Sequence, residues 1–271
     1  MKYRIKRLIS QLILLLTTNL GFLGLKTGFC YPFFYCHSCP TATSACPLRA
    51  LEESVYKGNT NWKYLFYPFM ILGAVGSLTG RAVCGWACPI GLLQRGTAPI
   101  ARRIKKSKFV KDHLSSIQQI DRVMRYAKYF ILIGLIFFTS ALIGFIFTDI
   151  CPIGFLTGTI PTLLLYPGQF VPNPYFFIAL VIFLLFVILI FTIERGWCRY
   201  VCPIGAILAP FNKIAPVHIE VNLSCCIHCN ACSNVCPMAI DVPAMKRSPE
   251  CILCGKCVDV CPKHCITLRR R

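Results

Sequence analysis

Two stretches repeat one pattern of four cysteines and a proline within 37 residues: Cys226-Ile-His-Cys229-Asn-Ala-Cys232-Ser-Asn-Val-Cys236-Pro237 and Cys251-Ile-Leu-Cys254-Gly-Lys-Cys257-Val-Asp-Val-Cys261-Pro262. The spacing suits an iron–sulfur cubane. Two intervening residues let a tight loop wrap three thiolates around one cluster, and the fourth cysteine, before Pro, reaches the neighbouring cluster. We expect Cys226, Cys229, Cys232 and Cys261 on one 4Fe–4S cluster, and Cys251, Cys254, Cys257 and Cys236 on a second. A zinc ribbon would use two cysteine pairs rather than two runs of four. Cys225 and Cys265 fall outside both sets and read as small buried residues without a role.

A second pattern lies upstream. Gly80-Arg81-Ala-Val-Cys84-Gly-Trp86-Ala-Cys88-Pro89-Ile90-Gly91 and Glu194-Arg195-Gly196-Trp197-Cys198-Arg-Tyr-Val-Cys202-Pro203-Ile204-Gly205 share Cys-x-x-x-Cys-Pro-Ile-Gly. Residues four apart lie on one face of a helix, so both sulfurs of a pair can address one partner. Pro cannot continue the helix, which breaks there. Cys84, Cys88, Cys198 and Cys202 would converge on one four-thiolate site, for a third cluster or a single metal; the bland alternative is packing, since free Cys is often buried as a small hydrophobe.

A third group is Cys30, Cys36, Cys39, Cys46 and Cys151. Three readings compete: a further metal or cluster site, a disulfide clamp, or plain packing. His37 is a possible ligand there, although a lone loop histidine is more often solvated.

These residues must be positioned by apolar helices. The chain is 56% hydrophobic and 14% charged, with mean hydropathy +0.62. A helix needs about 20 apolar residues to cross a bilayer, and four segments qualify: Ile9–Leu25, Tyr64–Thr79, Tyr129–Phe147 and Tyr175–Ile193. The first follows Met1-Lys-Tyr-Arg-Ile-Lys-Arg with no small-residue cleavage site after it, which suits an uncleaved anchor. Cys46-Pro47 follows the first span and Cys151-Pro152 the third, echoing the inner motifs. The expected fold is therefore a mainly α membrane protein. Four transmembrane helices form two parallel helical-hairpin repeats, followed by a small α+β 2x[4Fe-4S] ferredoxin domain; parallel repeats place matched sites at their interface. The domain limits are 1–128 for the first repeat, 129–210 for the second and 217–271 for the ferredoxin. The connector Ile207-Leu-Ala-Pro210-Phe-Asn-Lys-Ile-Ala-Pro216 is short, and its two prolines limit its reach.

Net charge is +19. Its distribution argues for a membrane partner and against nucleic acid. Eleven Lys and Arg lie in 81–128, whereas 26–63 and 149–174 together hold four. This positive-inside pattern places both termini in the cytoplasm, in a multi-pass protein of the cell membrane. The run Arg102-Arg103-Ile-Lys105-Lys106-Ser-Lys108 faces anionic lipid headgroups or docks an acidic partner.

The motifs Cys84–Pro89, Cys198–Pro203, Cys226–Pro237 and Cys251–Pro262 resemble, in order and setting, those of the NapH type of membrane polyferredoxin and of the membrane half of NosR; residues 217–271 resemble bacterial two-cluster ferredoxins. The resemblance runs from Ile9 to about Arg269. It implies membrane electron transfer between cytoplasmic redox carriers and a quinone pool or an extracytoplasmic redox partner, in the manner of a quinol dehydrogenase component. Some relatives serve maturation or regulation, so two alternatives stand: a metal or thiol reductase that matures a metalloenzyme, and a cluster-based redox sensor. The outer cysteines depart from the simplest family pattern. The histidines, at 37, 113, 218, 228 and 264, all lie outside the spans, which argues against an intramembrane bis-histidine haem. Asp149 and Glu194 lie at span ends, so an intramembrane proton relay is not expected. No phosphate-binding glycine loop is present.

Overall fold

The structure, a computed structural model, describes residues 2–27, 29–36, 39–58, 61–105, 114–165, 168 and 174–270. His37, His113, Lys106 and Lys108 lie outside the described residues. The chain is mostly helical with one small sheet near its C-terminal end.

Helix α1 (Lys2–Thr18) begins seven residues before the expected span. Its polarity is inverted. Arg7, Gln11 and Thr18 are buried, while Ile5, Ile9, Ile13 and Leu16 are exposed. The spacing of Arg7, Gln11 and Thr18 puts them on one helical face, and that face packs inward. A 3-10 turn, Leu20–Leu23, and Gly24 in the left-handed region end the element.

Pro47 opens α2 (Pro47–Ser54), which packs on α3 (Trp62–Thr79). Gly80, with φ of +56°, turns the chain out of α3. A Cβ there would lie 2.3 Å from Asn212 Oδ1, so position 80 needs glycine for conformation and for space. A short helix, α4 (Ala82–Trp86), and α5 (Pro89–Lys105) follow.

Helix α6 (Gln119–Leu142) is long and apolar enough to cross a membrane. Three apolar helices are shorter: Leu65–Thr79 within α3, α7 (Pro152–Leu165) and α8 (Phe176–Thr192). Helix α7 was not expected. Its Gly and Pro content hides it from a periodicity reading, but Pro152 occupies the first helical turn, where proline is favoured. Helix α8 is apolar on every face. It buries Ala179, Phe186 and Ile190, packs along α5, and leaves Phe177 77% exposed.

After α9 (Pro203–Leu208), strand β1 (Val217–Val221) pairs antiparallel with β2 (Ile266–Arg270), Ile219 facing Leu268 and Val221 facing Ile266. The loops between the strands carry α10 (Ala231–Asn234) and α11 (Lys256–Val260). A small core of Ile219, Cys232, Val242, Leu253, Cys257 and Ile266 fills the sheet's inner side. The larger core does not stop at the helices. It includes Cys84, Cys88, Trp197 and Cys202 together with Met238, Ile252 and Cys254, so the second cysteine run packs directly onto the helical part.

Candidate functional site

Three cavities are each bordered by four of the cysteines singled out from the sequence. Cys226, Cys229, Cys232 and Cys261 border one of about 400 Å³. Cys236, Cys251, Cys254 and Cys257 border a second of about 350 Å³. Cys84, Cys88, Cys198 and Cys202 border a third of about 340 Å³, closed on one side by Phe33, Phe34 and Trp197. Among the described residues, no group of three or more His, Cys, Asp or Glu side chains closes tightly enough to hold a single metal ion. Four thiols bordering one cavity match the donor set of a cubane, whose four iron corners each take one thiolate. Burial pushes the Cys251 thiol up to about 12, and the nearby Cys254 and Cys236 sulfurs push it the same way. Positive charge nearby favours the thiolate, and Arg81 acts in that direction on Cys251.

The third cavity is built differently from the expected helical face. The chain breaks between the two cysteines of each pair. Cys84 lies in α4 and Cys88 just before Pro89 of α5; Cys198 lies in a π-turn, Trp197–Val201, and Cys202 caps α9. The reason is that Pro89 and Pro203 start new helices as well as ending old ones. Gly205 N–H donates to Cys202 Sγ at 3.4 Å, and Gln94 Nε2 donates to Cys198 Sγ at 3.2 Å.

Two buried arginines cross between the halves of this site. Arg81 Nη2 donates to the Cys198 carbonyl at 3.1 Å, and Arg195 Nη1 donates to the Cys84 carbonyl at 3.3 Å. Each guanidinium lies over the glycine of the opposite Cys-Pro-Ile-Gly. A Cβ on Gly91 would meet Arg195 Nη1 at 2.5 Å, and one on Gly205 would meet Arg81 Nη2 at 3.0 Å. Sequence reasoning did not assign these arginines. The available signal was Arg-x-x-Cys at both motifs.

The second cavity is locked to the third by side chains from four separate elements. Arg7 donates from Nε to the Gly85 carbonyl at 3.0 Å and from Nη1 to the Cys254 carbonyl at 3.1 Å. It belongs to the basic run Met1-Lys-Tyr-Arg-Ile-Lys-Arg, yet it is 2% exposed. Trp86 Nε1 donates to the Leu253 carbonyl at 2.9 Å. Asn212 donates to the carbonyls of Cys251 at 2.7 Å and Ser248 at 3.0 Å, and accepts from Arg81 N–H at 2.7 Å. Glu250 accepts from Arg81 at 3.0 Å and pairs with Lys128. Gly85 touches Ile252 so closely that an added Cβ would lie 2.3 Å from its carbonyl oxygen.

The first cavity is bordered by Val221, Ile266 and the loop 226–232. Its Cys229 is exposed, as are the adjoining Leu223 and Ile227. Cys225 and Cys265 are not mere packing residues, as expected from the sequence. They are joined as a disulfide, Cα to Cα 5.9 Å, with Cys265 on the wall of this cavity.

The five outer cysteines divide. Gly154 lies against both Cys36 Sγ and Cys151 Cβ, and Cys46 and Cys151 each feel the Cys36 sulfur electrostatically. These three gather together. Cys39 instead contacts Thr41 Oγ1 at 3.1 Å, and Cys30 bridges by its backbone to Ala45. Arg49 to Asp149, 2.9 Å, and Glu52 to Thr148 Oγ1, 2.6 Å, tie the Cys46-Pro47 and Cys151-Pro152 corners to one another.

Comparison with known proteins agrees with the cysteine geometry. A 4Fe-4S binding domain family model matches residues 65–108 and again 175–222, and a 4Fe-4S dicluster domain model matches 218–262. An uncharacterized protein of Methanocaldococcus jannaschii is 27% identical over 78% of this chain and 80% of its own length. The ferredoxin-type protein NapH of Haemophilus influenzae is 29% identical over 71% of this chain and 58% of its own. The regulatory protein NosR of Stutzerimonas stutzeri is 32% identical over 64% of this chain and 22% of its own. The chain thus spans only part of the named relatives. No solved structure matches it. The doubled match of the first model falls on the two Cys-x-x-x-Cys-Pro segments and the dicluster match on the two cysteine runs, and the chain belongs to the NapH/NosR-type family of ferredoxin-type proteins with 4Fe-4S binding domains.

Proposed function

We propose that this protein is a membrane-anchored iron–sulfur electron carrier, linking cytoplasmic redox carriers to a quinone or to a redox partner at or beyond the membrane. The observation that supports the reading is the set of three four-cysteine cavities, with the loop 251–254 of the second fastened to the helical part by Arg7, Trp86 and Asn212. The proposed ligand sets are Cys226, Cys229, Cys232 and Cys261; Cys251, Cys254, Cys257 and Cys236; and Cys84, Cys88, Cys198 and Cys202. Bound 4Fe–4S clusters supply one-electron transfer at potentials tuned by hydrogen bonds, charge and exposure. The chain's own residues set the order. Cys229 exposes the first set to a soluble partner, the junction residues keep the second set close to the helices, and the buried cations Arg81 and Arg195 offset thiolate charge at the membrane edge.

The membrane reading rests on α6 and on the exposed apolar side chains of α1, α3 and α8, such as Ile9, Phe66 and Phe177, which are more than a water-facing surface usually carries. In this arrangement α1, α3, α6 and α8 span as two parallel repeats within 1–128 and 129–210, and 217–271 forms the cytoplasmic ferredoxin. Burial of Arg7 within the junction, rather than against lipid, is compatible with an inner-side N-terminus. Iron and acid-labile sulfide per chain, with EPR of the reduced anaerobic protein, test the proposal. About twelve irons agree with three clusters, about eight with the ferredoxin alone; a chain without cluster signals refutes it.

A further inference from the structure

The Cys225–Cys265 pair belongs to neither cluster set, and its position gives it a use. Cys225 is joined through one peptide bond to Cys226, and Cys265 lines the cavity that Cys226, Cys229, Cys232 and Cys261 surround. The two halves of the disulfide approach that cavity from different elements. Cys225 ends the turn Leu223–Cys225, and Cys265 directly precedes β2. Asn222 N–H donates to the Cys265 carbonyl at 2.9 Å and holds the two strands of chain side by side. Their Cα separation of 5.9 Å is the ordinary spacing for a disulfide. The pair is also asymmetric: Cys225 is exposed, flanked by exposed Leu223 and Ile227, whereas Cys265 is 5% exposed.

Cluster ligands must be free thiolates, so the surroundings of the eight neighbouring ligands have to be reducing. Disulfides that occur under such conditions are generally catalytic or redox-sensing rather than structural. We infer that Cys225 and Cys265 form a dithiol–disulfide couple that draws electrons from the adjoining cluster site and reduces disulfides of peptide segments presented from solvent. This rests on the electron-carrier reading above.

The chemistry balances. The Cys225–Cys265 bond takes up two electrons, one at a time from the low-potential carrier feeding the cluster chain, and two protons from solvent, giving two thiols. Cys225, as thiolate, attacks one sulfur of the substrate disulfide; a mixed disulfide forms and one substrate thiolate leaves. Cys265, as thiolate, then attacks the Cys225 sulfur, restoring the original bond and releasing the second substrate thiol. Division of labour follows from exposure, since an attacking thiol must be reachable. Leu223 and Ile227 offer an apolar seat for the incoming segment.

The test uses the full chain, purified without oxygen and loaded with clusters. It is reduced stepwise with photoreduced deazaflavin, followed by EPR, quenched in acid and labelled with a maleimide; peptides holding Cys225 and Cys265 are then read by mass spectrometry. The expected result is no label on either residue before reduction, and two added labels per chain that appear after the cluster signal has grown in. In Cys225→Ser, Cys265 is labelled from the outset while iron content and EPR spectrum are retained. A pair that stays unlabelled after full cluster reduction, that is labelled before it, or that is labelled ahead of the cluster signal overturns this inference alone. Absence of any cluster signal overturns the electron-carrier reading together with it.

Discussion

Arg81 and Arg195 each stand three residues before the first cysteine of a Cys-x-x-x-Cys-Pro-Ile-Gly motif, and each donates to the carbonyl of the other motif's first cysteine, at 3.1 and 3.3 Å. The exchange makes the two motifs one site. Neither half of the cavity is complete without a side chain from the other, and each arginine needs the opposite glycine to leave room for it.

Gly91→Ala therefore disrupts the site of Cys84, Cys88, Cys198 and Cys202 more than Gly205→Ala, because the new methyl meets Arg195 at 2.5 Å and the Cys84 carbonyl at 2.8 Å in the first case, against 3.0 Å to Arg81 in the second. Overpacking of this kind costs about 1–3 kcal/mol. The expected outcome is loss of about four irons per chain in Gly91→Ala and partial retention in Gly205→Ala, measured as iron and sulfide content.

Cys88→Ser and Cys202→Ser each remove about four irons and leave the ferredoxin signals intact. If the four cysteines share one cluster, the double variant loses no more iron than either single one, a plain failure of additivity between residues acting as a unit. Iron loss that doubles in the combined variant would sink the shared site.

The two runs of four cysteines are legible from local spacing, whereas grouping Cys84 and Cys88 with Cys198 and Cys202 rests on the repeat of the Cys-x-x-x-Cys-Pro-Ile-Gly motif; the structure sets each group of four around one cavity. What held the groups together was not. Arg7 reads as one more cation in a basic run, and no periodicity says that α1 turns its polar face inward. That inversion depends on what the helix packs against, the carbonyls of Gly85 and Cys254. Asn212 lay in a connector judged only by its prolines, yet its amide serves Cys251, Ser248 and Arg81 at once. Cys225 and Cys265 are 40 residues apart, and only the β1–β2 register brings them together. Helix α7 was missed because Gly154, Gly158 and Pro161 mask its apolar length.

Arg7→Met keeps the bulk of the side chain but strips donors from two buried carbonyls. An unsatisfied buried acceptor costs roughly 1–3 kcal/mol. Amide hydrogen exchange in residues 251–257 should quicken by about tenfold or more, with iron content unchanged. Unaltered exchange there would show that Arg7 does not hold the junction.

Glu52 supplies a pH dependence at the corner it shares with Thr148. Burial raises its pKa from 4.5 to about 7, against the opposing pull of its Thr148 hydrogen bonds and Arg49. The unfolded carboxyl ionises from pH 4.5 upward while the buried one stays protonated, so stability of that corner falls as pH rises from about 4.5 to 7 and levels off above. The full loss is about 3 kcal/mol. Glu52→Gln keeps an acceptor for Thr148 and should flatten the profile, read as hydrogen exchange of residues 147–151 between pH 4 and 8. A slope that persists in the variant would assign it elsewhere.

The bond from Arg7 to Cys254 joins residues 247 positions apart. At ribosomal speeds of about 5–20 residues per second, the first of these emerges roughly ten to fifty seconds before the second. Through that interval α1 has no carbonyl at Cys254 to close on, and the sulfurs of Cys84 and Cys88 lack their ceiling. The fourth sulfur of that site, Cys202, emerges 52 residues before Cys254, so a cofactor that needs all four has roughly three to ten seconds at those speeds before the loop bearing Cys254 gives Arg7 its second acceptor.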